Sequence, residues 1–373
     1  MDSVSPIGFD RAKAASLIKA KGLVGVLFTS PENVFYTTGA HTLPGTGNPI
    51  LYALKNQIPT FSFIDAEGAV TLFIWMGATM GIDYVGADVR TFLDSSGAAE
   101  ELGSFLEEQR KKGPILGIES SCPYWASNVA NRATGGVQTV QADEIALRLR
   151  LVKSAAELER IRKSTQIVEE TVAELKKEMN IGMSRAELAQ AARLLMMKHG
   201  ATGIDHLTIA FGASNPEVML DERLERGQLI TIDLGAVYEG YVSDNRRLFY
   251  TAEAPPEGLS KLHRSLVGIV EDVGAALTPG ASFSELYSRA VSLYEKEGLQ
   301  PMFFHVGHSI GIQTEETWIS AESELVVEEN MVLNIELYSP DEGGTMIGDE
   351  ETFVVGKKGS EKITQLPNEI GLA

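Results

Sequence analysis

Short apolar runs alternate with helical segments through the first 150 residues. The runs at residues 23–28, 61–64, 70–75 and 115–118 have the length and composition of buried strands. Residues 8–22 and 97–112 are predicted helices, and an apolar segment at residues 34–39 follows a predicted turn at residues 30–33. This alternation of strands and helices predicts an α/β amino-terminal domain over residues 1–150.

Helix start signals become clear after residue 150. A serine followed three residues later by a glutamate forms a capping box, and this pattern occurs at Ser154/Glu157, Ser184/Glu187 and Ser282/Glu285. Strand-like runs lie between and after these helices, at residues 206–211, 228–237, 242–250, 331–338 and 352–355. We therefore predict a second domain over residues 151–373, of the α+β class with a mostly antiparallel sheet.

Composition narrows the class of protein. Hydrophobic residues make up 44% of the chain, which excludes a mainly disordered protein. The formal net charge of −19 disfavours nucleic acid and anionic membranes as partners, because both are themselves negatively charged. The single cysteine, Cys122, excludes an internal disulfide and a cysteine-based zinc site. The chain shows neither a signal-peptide pattern nor an apolar run of about 18 residues, so we expect a cytoplasmic protein.

The first candidate chemistry lies in a predicted hairpin that turns near Glu239 and Gly240. Alternation along the first strand places Asp233 on the face opposite its apolar residues. With a two-residue loop, Asp233 and Asp244 share that face, directly opposite or diagonal to each other. Two neighbouring carboxylates need a cation between them, which the sequence offers in two forms, a bound metal ion or Arg246 on the same face.

Three further residues can join these aspartates. His308 lies in a glycine-rich turn, Glu336 interrupts an apolar strand, and Glu350 precedes the strand at residues 352–355. A glutamate is rarely buried unless it is paired or bound to a metal. Carboxylates with one imidazole suit manganese, iron, cobalt or zinc, and bridging carboxylates suit a pair of ions.

These motifs resemble the creatinase/prolidase/aminopeptidase P/methionine aminopeptidase superfamily, which has the pita-bread fold. The resemblance covers almost the whole chain: residues 30–39 are similar to the family's amino-domain motif, and residues 149–157 to its connection between domains. It implies a creatinase-like α/β amino-terminal domain and a pita-bread catalytic domain with a curved, mostly antiparallel sheet. It further implies a dinuclear metallohydrolase with two divalent ions, manganese first and iron, cobalt or zinc as alternatives, whose ligands are Asp233, Asp244, His308, Glu336 and Glu350.

The chain departs from the peptidase pattern in three places. The peptidases usually carry a histidine ahead of the first metal aspartate, and residues 215–219 contain none. Glu315 stands where a second histidine follows the metal histidine, and Gly348 stands near the usual arginine. The resemblance assigns substrate binding and proton transfer to those histidines, so ordinary proline-peptide cleavage is expected to be weak.

Three functions follow as alternatives. The first is hydrolysis of a C–N bond in the manner of an Xaa-Pro aminopeptidase or dipeptidase, with a divergent substrate pocket. In this scheme Glu336 is linked to the nucleophilic water and Glu315 replaces the missing histidine as the proton shuttle, with His206 next in line. The second is a non-peptidase hydrolase or lyase acting on a small zwitterion or carboxylate. The third is a catalytically silent binding module.

Substrate contacts and partners are predicted less directly. His305, Trp318 and His41 are candidate substrate-binding residues, since the first two flank the metal histidine and His41 follows the amino-domain motif. In homodimeric relatives that motif approaches the neighbouring subunit's cleft. The expected partners are therefore a small molecule or short peptide as substrate and a second copy of the chain.

Overall fold

The chain forms two compact units, Met1–Arg150 and Leu151–Ala373. The structure is a computed structural model that describes residues 2–133, 139–218 and 220–373, so Met219, at the end of the histidine-free segment, lies outside the described residues. Within the described ranges, no helix is both long enough and apolar enough to cross a membrane.

The first unit is an α/β domain built on a six-stranded mixed sheet. Its strands are β1 (Asp2–Val4), β2 (Gly25–Phe28), β3 (Phe61–Asp65), β4 (Val70–Trp75), β5 (Ile82–Tyr84), β6 (Ala87–Phe92), β7 (Leu116–Ile118) and β8 (Thr139–Gln141). Its helices are α1 (Arg11–Ala20), α2 (Pro31–Thr38), α3 (Ile50–Ala53), α4 (Ser95–Gln109), α5 (Tyr124–Ala133) and α6 (Asp143–Leu151). The sheet order is β6-β4-β3-β2-β7-β8, while β1 and β5 form a separate parallel pair.

The predicted turn at residues 30–33 is in fact the start of a helix, α2. Ser30 is its N-cap and accepts a hydrogen bond from the backbone N–H of Asn33. Pro31 occupies the first turn, and Gly39 ends the helix in the left-handed conformation with φ 75°. The serine and proline at its beginning and the glycine at its end were therefore helix signals. The helix was not recognised because a short apolar run fits a strand equally well.

The second unit combines four helices with two five-stranded, mostly antiparallel sheets in the described residues. The helices are α7 (Ala155–Glu178), α8 (Arg185–Lys198), α9 (Glu257–Ala275) and α10 (Phe283–Lys296). One sheet contains β9 (Gly203–Phe211), β10 (Leu229–Tyr238), β11 (Tyr241–Val242), β12 (Asn245–Tyr250) and β18 (Gly371–Leu372). The other contains β13 (His305–Ser309), β14 (Thr317–Ser320), β15 (Val332–Pro340), β16 (Met346–Val355) and β17 (Ser360–Lys362).

All three predicted capping boxes are present, at the starts of α7, α8 and α10. Helix α9 is not among the predicted helices because it begins after Pro256 without a side-chain cap. Its apolar spacing was the remaining signal, and its buried residues include Leu266, Val270 and Val273.

The core of the second unit determines which face of β10 is free for chemistry. Ile230 and Ile232 are fully buried in one cluster with residues of α7 and α8, such as Val168 and Leu188. Since side chains alternate along a strand, Asp233 must project from the other face of β10. Burying the apolar face under the helices therefore directs the first candidate ligand toward the second sheet.

Candidate metal centre

The β10–β11 hairpin has the predicted two-residue turn. Tyr238 pairs with Tyr241, and the loop residues Glu239 and Gly240 have φ angles of 49° and 89°. The same register continues into β12, so Arg246 lies directly opposite Asp233. Asp244, between β11 and β12, is therefore diagonal to Asp233, which is one of the two arrangements that the sequence allows.

The second sheet supplies the remaining candidate ligands from three adjacent strands. His308 on β13 pairs with Asn334 on β15, and Glu336 on β15 lies directly opposite Glu350 on β16. Gly307, with φ 149°, lets β13 approach β15 closely, because a Cβ there would lie 2.1 Å from the Asn334 carbonyl oxygen. This close pairing brings the His308 ring to the carboxylates.

Short contacts join these side chains into one cluster. The Nε2 atom of His308 lies 3.4 Å from Asp244 Oδ2 and 3.6 Å from Glu336 Oε1. The Nε2 atom of His206 lies 3.1 Å from Asp233 Oδ1 and 3.1 Å from Asp244 Oδ1. His206, a weak candidate from the sequence, is thus in contact with both aspartates.

Burial and neighbouring charges shift the pKa values of the cluster. Burial raises the pKa of Glu336, and burial together with the charges of Asp244 and Asp233 raises that of Glu350 well above its ordinary value. Burial opposes a charged ring at His308, but Asp244 and Glu336 outweigh it and raise the His308 pKa to about 9. The pKa of His206 is likewise raised, despite burial, chiefly by the charge of Asp244. These shifts show that the buried carboxylates repel one another and attract protons or other cations.

The donor atoms of this cluster fit a divalent metal ion. Glu350 is 1% exposed, its Oε1 accepts a hydrogen bond from the Asn334 amide, and its Oε2 has no hydrogen-bond partner among the described residues. A buried carboxylate oxygen without a donor is costly unless a cation satisfies it. Oxygen ligands with an imidazole suit manganese, iron, cobalt or zinc, so the donor chemistry agrees with the predicted site.

Glu315 and Trp318 lie beside this cluster. The candidate ligand atoms of His308, Glu315 and Glu336 lie within 4.8 Å of one another. Trp318 pairs with His308 across β13 and β14, and its indole N–H donates to Glu315 Oε2 at 3.2 Å. The carboxylate that stands in place of the second histidine therefore reaches the cluster.

The other two predicted substrate-binding residues lie in different places. His305 is stacked between aromatic rings, and its Nδ1 lies 3.8 Å from Glu336 Oε1. Burial lowers the pKa of His305, so a neutral ring is favoured there. His41 lies after α2 in the first unit, and its role stays a prediction.

Two side chains that were not predicted from the sequence orient the glutamates. The Tyr338 hydroxyl donates to Glu336 Oε2 at 2.6 Å, and the Asn334 amide donates to Glu350 Oε1. Both residues lie two positions from Glu336 on β15 and hence share its face. The period of two along this strand was the signal that could have identified them.

Strand alternation also separates Glu350 from its acidic neighbours. Asp349 and Glu351 project from the other face of β16, where Asp349 lies 3.6 Å from His263 and Glu351 pairs with Arg247. Glu350 alone of the three shares the face of Glu336. This placement explains why Glu350, rather than an adjacent acid, meets the other candidate ligands.

We expect Arg247→Met to destabilise the second unit strongly. Arg247 and Glu351 are both buried, and one guanidinium nitrogen lies 3.2 Å from each Glu351 carboxylate oxygen. Breaking a buried pair costs about 3–5 kcal/mol, and the loss of Arg247 leaves Glu351 with the more distant ammonium group of Lys362, at 3.7 Å. Urea unfolding followed by circular dichroism measures the loss. Adding Glu351→Gln should recover part of it, because Arg247 also donates to the backbone carbonyls of Arg246, Glu350 and Leu366. A single variant within about 1 kcal/mol of wild type would contradict this account.

Comparison with known proteins places this centre in a family. The sequence pattern of metallopeptidase family M24 matches residues 159–357, which contain the whole cluster. The chain belongs to metallopeptidase family M24. The pattern of the creatinase/prolidase N-terminal domain matches residues 11–152. The fold class predicted from the sequence is therefore confirmed in both parts, and the chain is an enzyme of a family in which two metal ions are typical.

Relatives within family M24 include two archaeal Xaa-Pro dipeptidases. The protein from Pyrococcus horikoshii is 31% identical over 264 residues, which cover 68% of this chain and 74% of that one. The protein from Pyrococcus furiosus is 29% identical over 274 residues, covering 71% and 78%. The crystal structure of the prolidase from Pyrococcus horikoshii OT3 is similar over 96% of this chain and 99% of its own, with a TM-score of 0.81 and 25% identity.

Proposed function

We propose that this M24 enzyme is a metal-dependent hydrolase of C–N bonds that acts on short Xaa-Pro peptides through a divergent pocket. One observation carries the proposal, namely a continuous chain of contacts between the candidate ligands. His206 joins Asp233 to Asp244, and His308 joins Asp244 to Glu336. Arg246 joins Asp233 to Glu350. The Xaa-Pro dipeptidases from two Pyrococcus species suggest the substrate class.

Asp233, Asp244, His308, Glu336 and Glu350 would hold two divalent ions, with manganese as the expected metal. When bound, such ions polarise a scissile carbonyl and lower the pKa of a water toward neutrality. Tyr338 fixes one oxygen of Glu336 by its hydrogen bond, which leaves the other oxygen directed toward His308. The ligand geometry is therefore maintained by the protein's own hydrogen bonds.

We assign the transfer of the proton to Glu315. Its carboxylate is close to His308 and Glu336, and the Trp318 indole holds one of its oxygens. In this position Glu315 would act as a base that accepts a proton from the attacking water. Both ring nitrogens of His206 contact carboxylates: Nδ1 contacts Asp205, and Nε2 contacts Asp233 and Asp244. We therefore assign His206 to positioning the aspartates rather than to proton transfer.

Exposed aromatic rings beside Glu315 favour a substrate with an apolar or cationic group. Phe304 and Trp318 meet edge to face with ring centroids 5.2 Å apart, and Phe303 stacks on His305 at 5.7 Å. Such a wall can contact a proline ring. Together with an acidic side chain it also suits a quaternary or protonated amine, and that feature favours the second candidate, a hydrolase or lyase of a small zwitterion.

A substrate panel distinguishes these two functions. Purified protein with added manganese is incubated with Xaa-Pro dipeptides and, in parallel, with creatine, ectoine and betaine-type acids. We expect proline release at a rate well below about 10 per second, because both assisting histidines of the peptidases are absent. Turnover of a zwitterion with no proline release would support the second function, and the absence of any turnover would support a silent module.

Three parts of the proposal rest on the family resemblance. These are manganese as the metal, a cytoplasmic location, and a homodimer in which His41 approaches the neighbouring subunit's cleft. Native mass spectrometry measures the oligomer directly. For the role of His41, His41→Ala should raise KM for the substrate while leaving the metal content unchanged, whereas an unchanged KM would remove His41 from the site.

A further inference from the structure

Arg246 places a fixed positive charge inside the candidate metal centre. Its Nη2 lies 2.5 Å from Asp233 Oδ2, and its Nε lies 3.8 Å from Glu350 Oε2. The side chain is only 9% exposed. A guanidinium remains charged at every working pH, so this cation is always present between two of the predicted ligands.

The packing around Arg246 keeps the guanidinium in this position. Its guanidinium carbon lies 4.5 Å from the centre of the Tyr338 ring, a cation–π contact. Gly348 leaves room for the Tyr338 ring and the Arg246 side chain, because a Cβ at Gly348 would lie 2.7 Å from that ring and 3.3 Å from Arg246 Cδ. Arg246 is therefore built into the centre and is not a flexible surface counter-ion.

The contacts of Arg246 divide the candidate ligands into two unequal groups. Asp233 has one oxygen against Arg246 and the other against His206, and the unpartnered oxygen of Glu350 faces Arg246. On the other side, His308 meets Asp244 and Glu336, whose near oxygens have no such arginine ion pair among the contacts described. A divalent ion entering at Asp233 and Glu350 must therefore approach a fixed positive charge.

We propose that Arg246 competes with a divalent ion at Asp233 and Glu350, so that its fixed charge lowers the affinity of these two carboxylates for the second ion. Two like charges a few ångströms apart in a buried site repel strongly enough to lower affinity by at least about tenfold. The occupancy of the second position, and with it the activity, then depends on metal supply. The inference rests on the metal dependence of the proposed function.

Calorimetric titration of the full chain tests this competition. Protein stripped with a chelator is titrated with manganese chloride, and wild type is compared with Arg246→Met and Arg246→Lys. Methionine keeps much of the bulk without the charge, so the second ion should bind at least about tenfold tighter in R246M than in wild type. Lysine keeps the charge, so R246K should retain the weak second step. Circular dichroism verifies that each variant is folded.

Arg162→Met is the matched control. It removes the same net charge from an exposed arginine that pairs with Glu361, and it should leave both dissociation constants unchanged. Equal second-ion affinity in wild type and R246M would overturn the proposal, as would equal tightening in R246K and R246M, or no binding by any of them. Failure of the proposed function is a separate result, namely no turnover by protein that holds both ions.

Discussion

Asp244→Ala is expected to lose both metal binding and activity. Asp244 is buried, and its two oxygens contact His206 and His308, so it connects the two halves of the centre. Without it, no carboxylate joins Asp233 to His308. We expect turnover to fall by about 10³-fold or more, since bound ions contribute several kcal/mol to such reactions. Elemental mass spectrometry on variant and wild type gives the metal content.

Asp349→Asn provides the control for this loss. Asp349 is as buried as Asp244 and adjoins Glu350, but it projects from the other face of β16 toward His263. It should therefore keep the metal content of wild type. An Asp244→Ala protein that still holds two ions per chain would refute the assignment of Asp244, and metal loss in Asp349→Asn would show that the position of Glu350 was misjudged.

Glu315→Gln is expected to keep the metal and lose turnover. Glutamine preserves the size of the side chain and an acceptor for the Trp318 indole, but it cannot take up a proton. A general base contributes about 10²–10⁴ in rate, so we expect turnover on the true substrate to fall by about 10²-fold at unchanged metal content. The measurement is a pH profile of turnover from pH 5 to 9 beside the metal analysis.

Two further results test the role of Glu315 as a general base. Glu315→His restores the residue type of the peptidases and should raise, or at least maintain, the hydrolysis of Xaa-Pro dipeptides. Full activity of Glu315→Gln over the whole pH range would make Glu315 a bystander.

Local sequence rules were sufficient to predict the strands that carry Asp233 and Glu336, but His308, expected in a glycine-rich turn, lies on strand β13. The two-residue turn at Glu239 and Gly240 fixed the register, and strand alternation then placed Asp233 and Asp244 on one face. The capping boxes located three helices of the second unit. These features depend on neighbours a few residues away, which is why they can be read from the chain alone.

Contacts between distant strands could not be predicted in the same way. The sequence left open whether a metal or Arg246 compensates the aspartates, and the answer depends on how β12 approaches β16, where Glu350 lies about a hundred residues further along. The contact of His206 with both aspartates depends on β9 pairing with β10. The aromatic wall likewise requires the β13–β14 pairing that brings Trp318 beside Phe304.

Adding metal back to stripped protein decides whether the cluster around His308 is a metal-dependent hydrolytic centre. Metal content and product release from the substrate panel are measured on the same samples as manganese is increased. We expect no turnover without metal and turnover that rises with the bound metal. Full activity of the stripped protein, or none on any substrate when both ions are bound, would contradict this expectation.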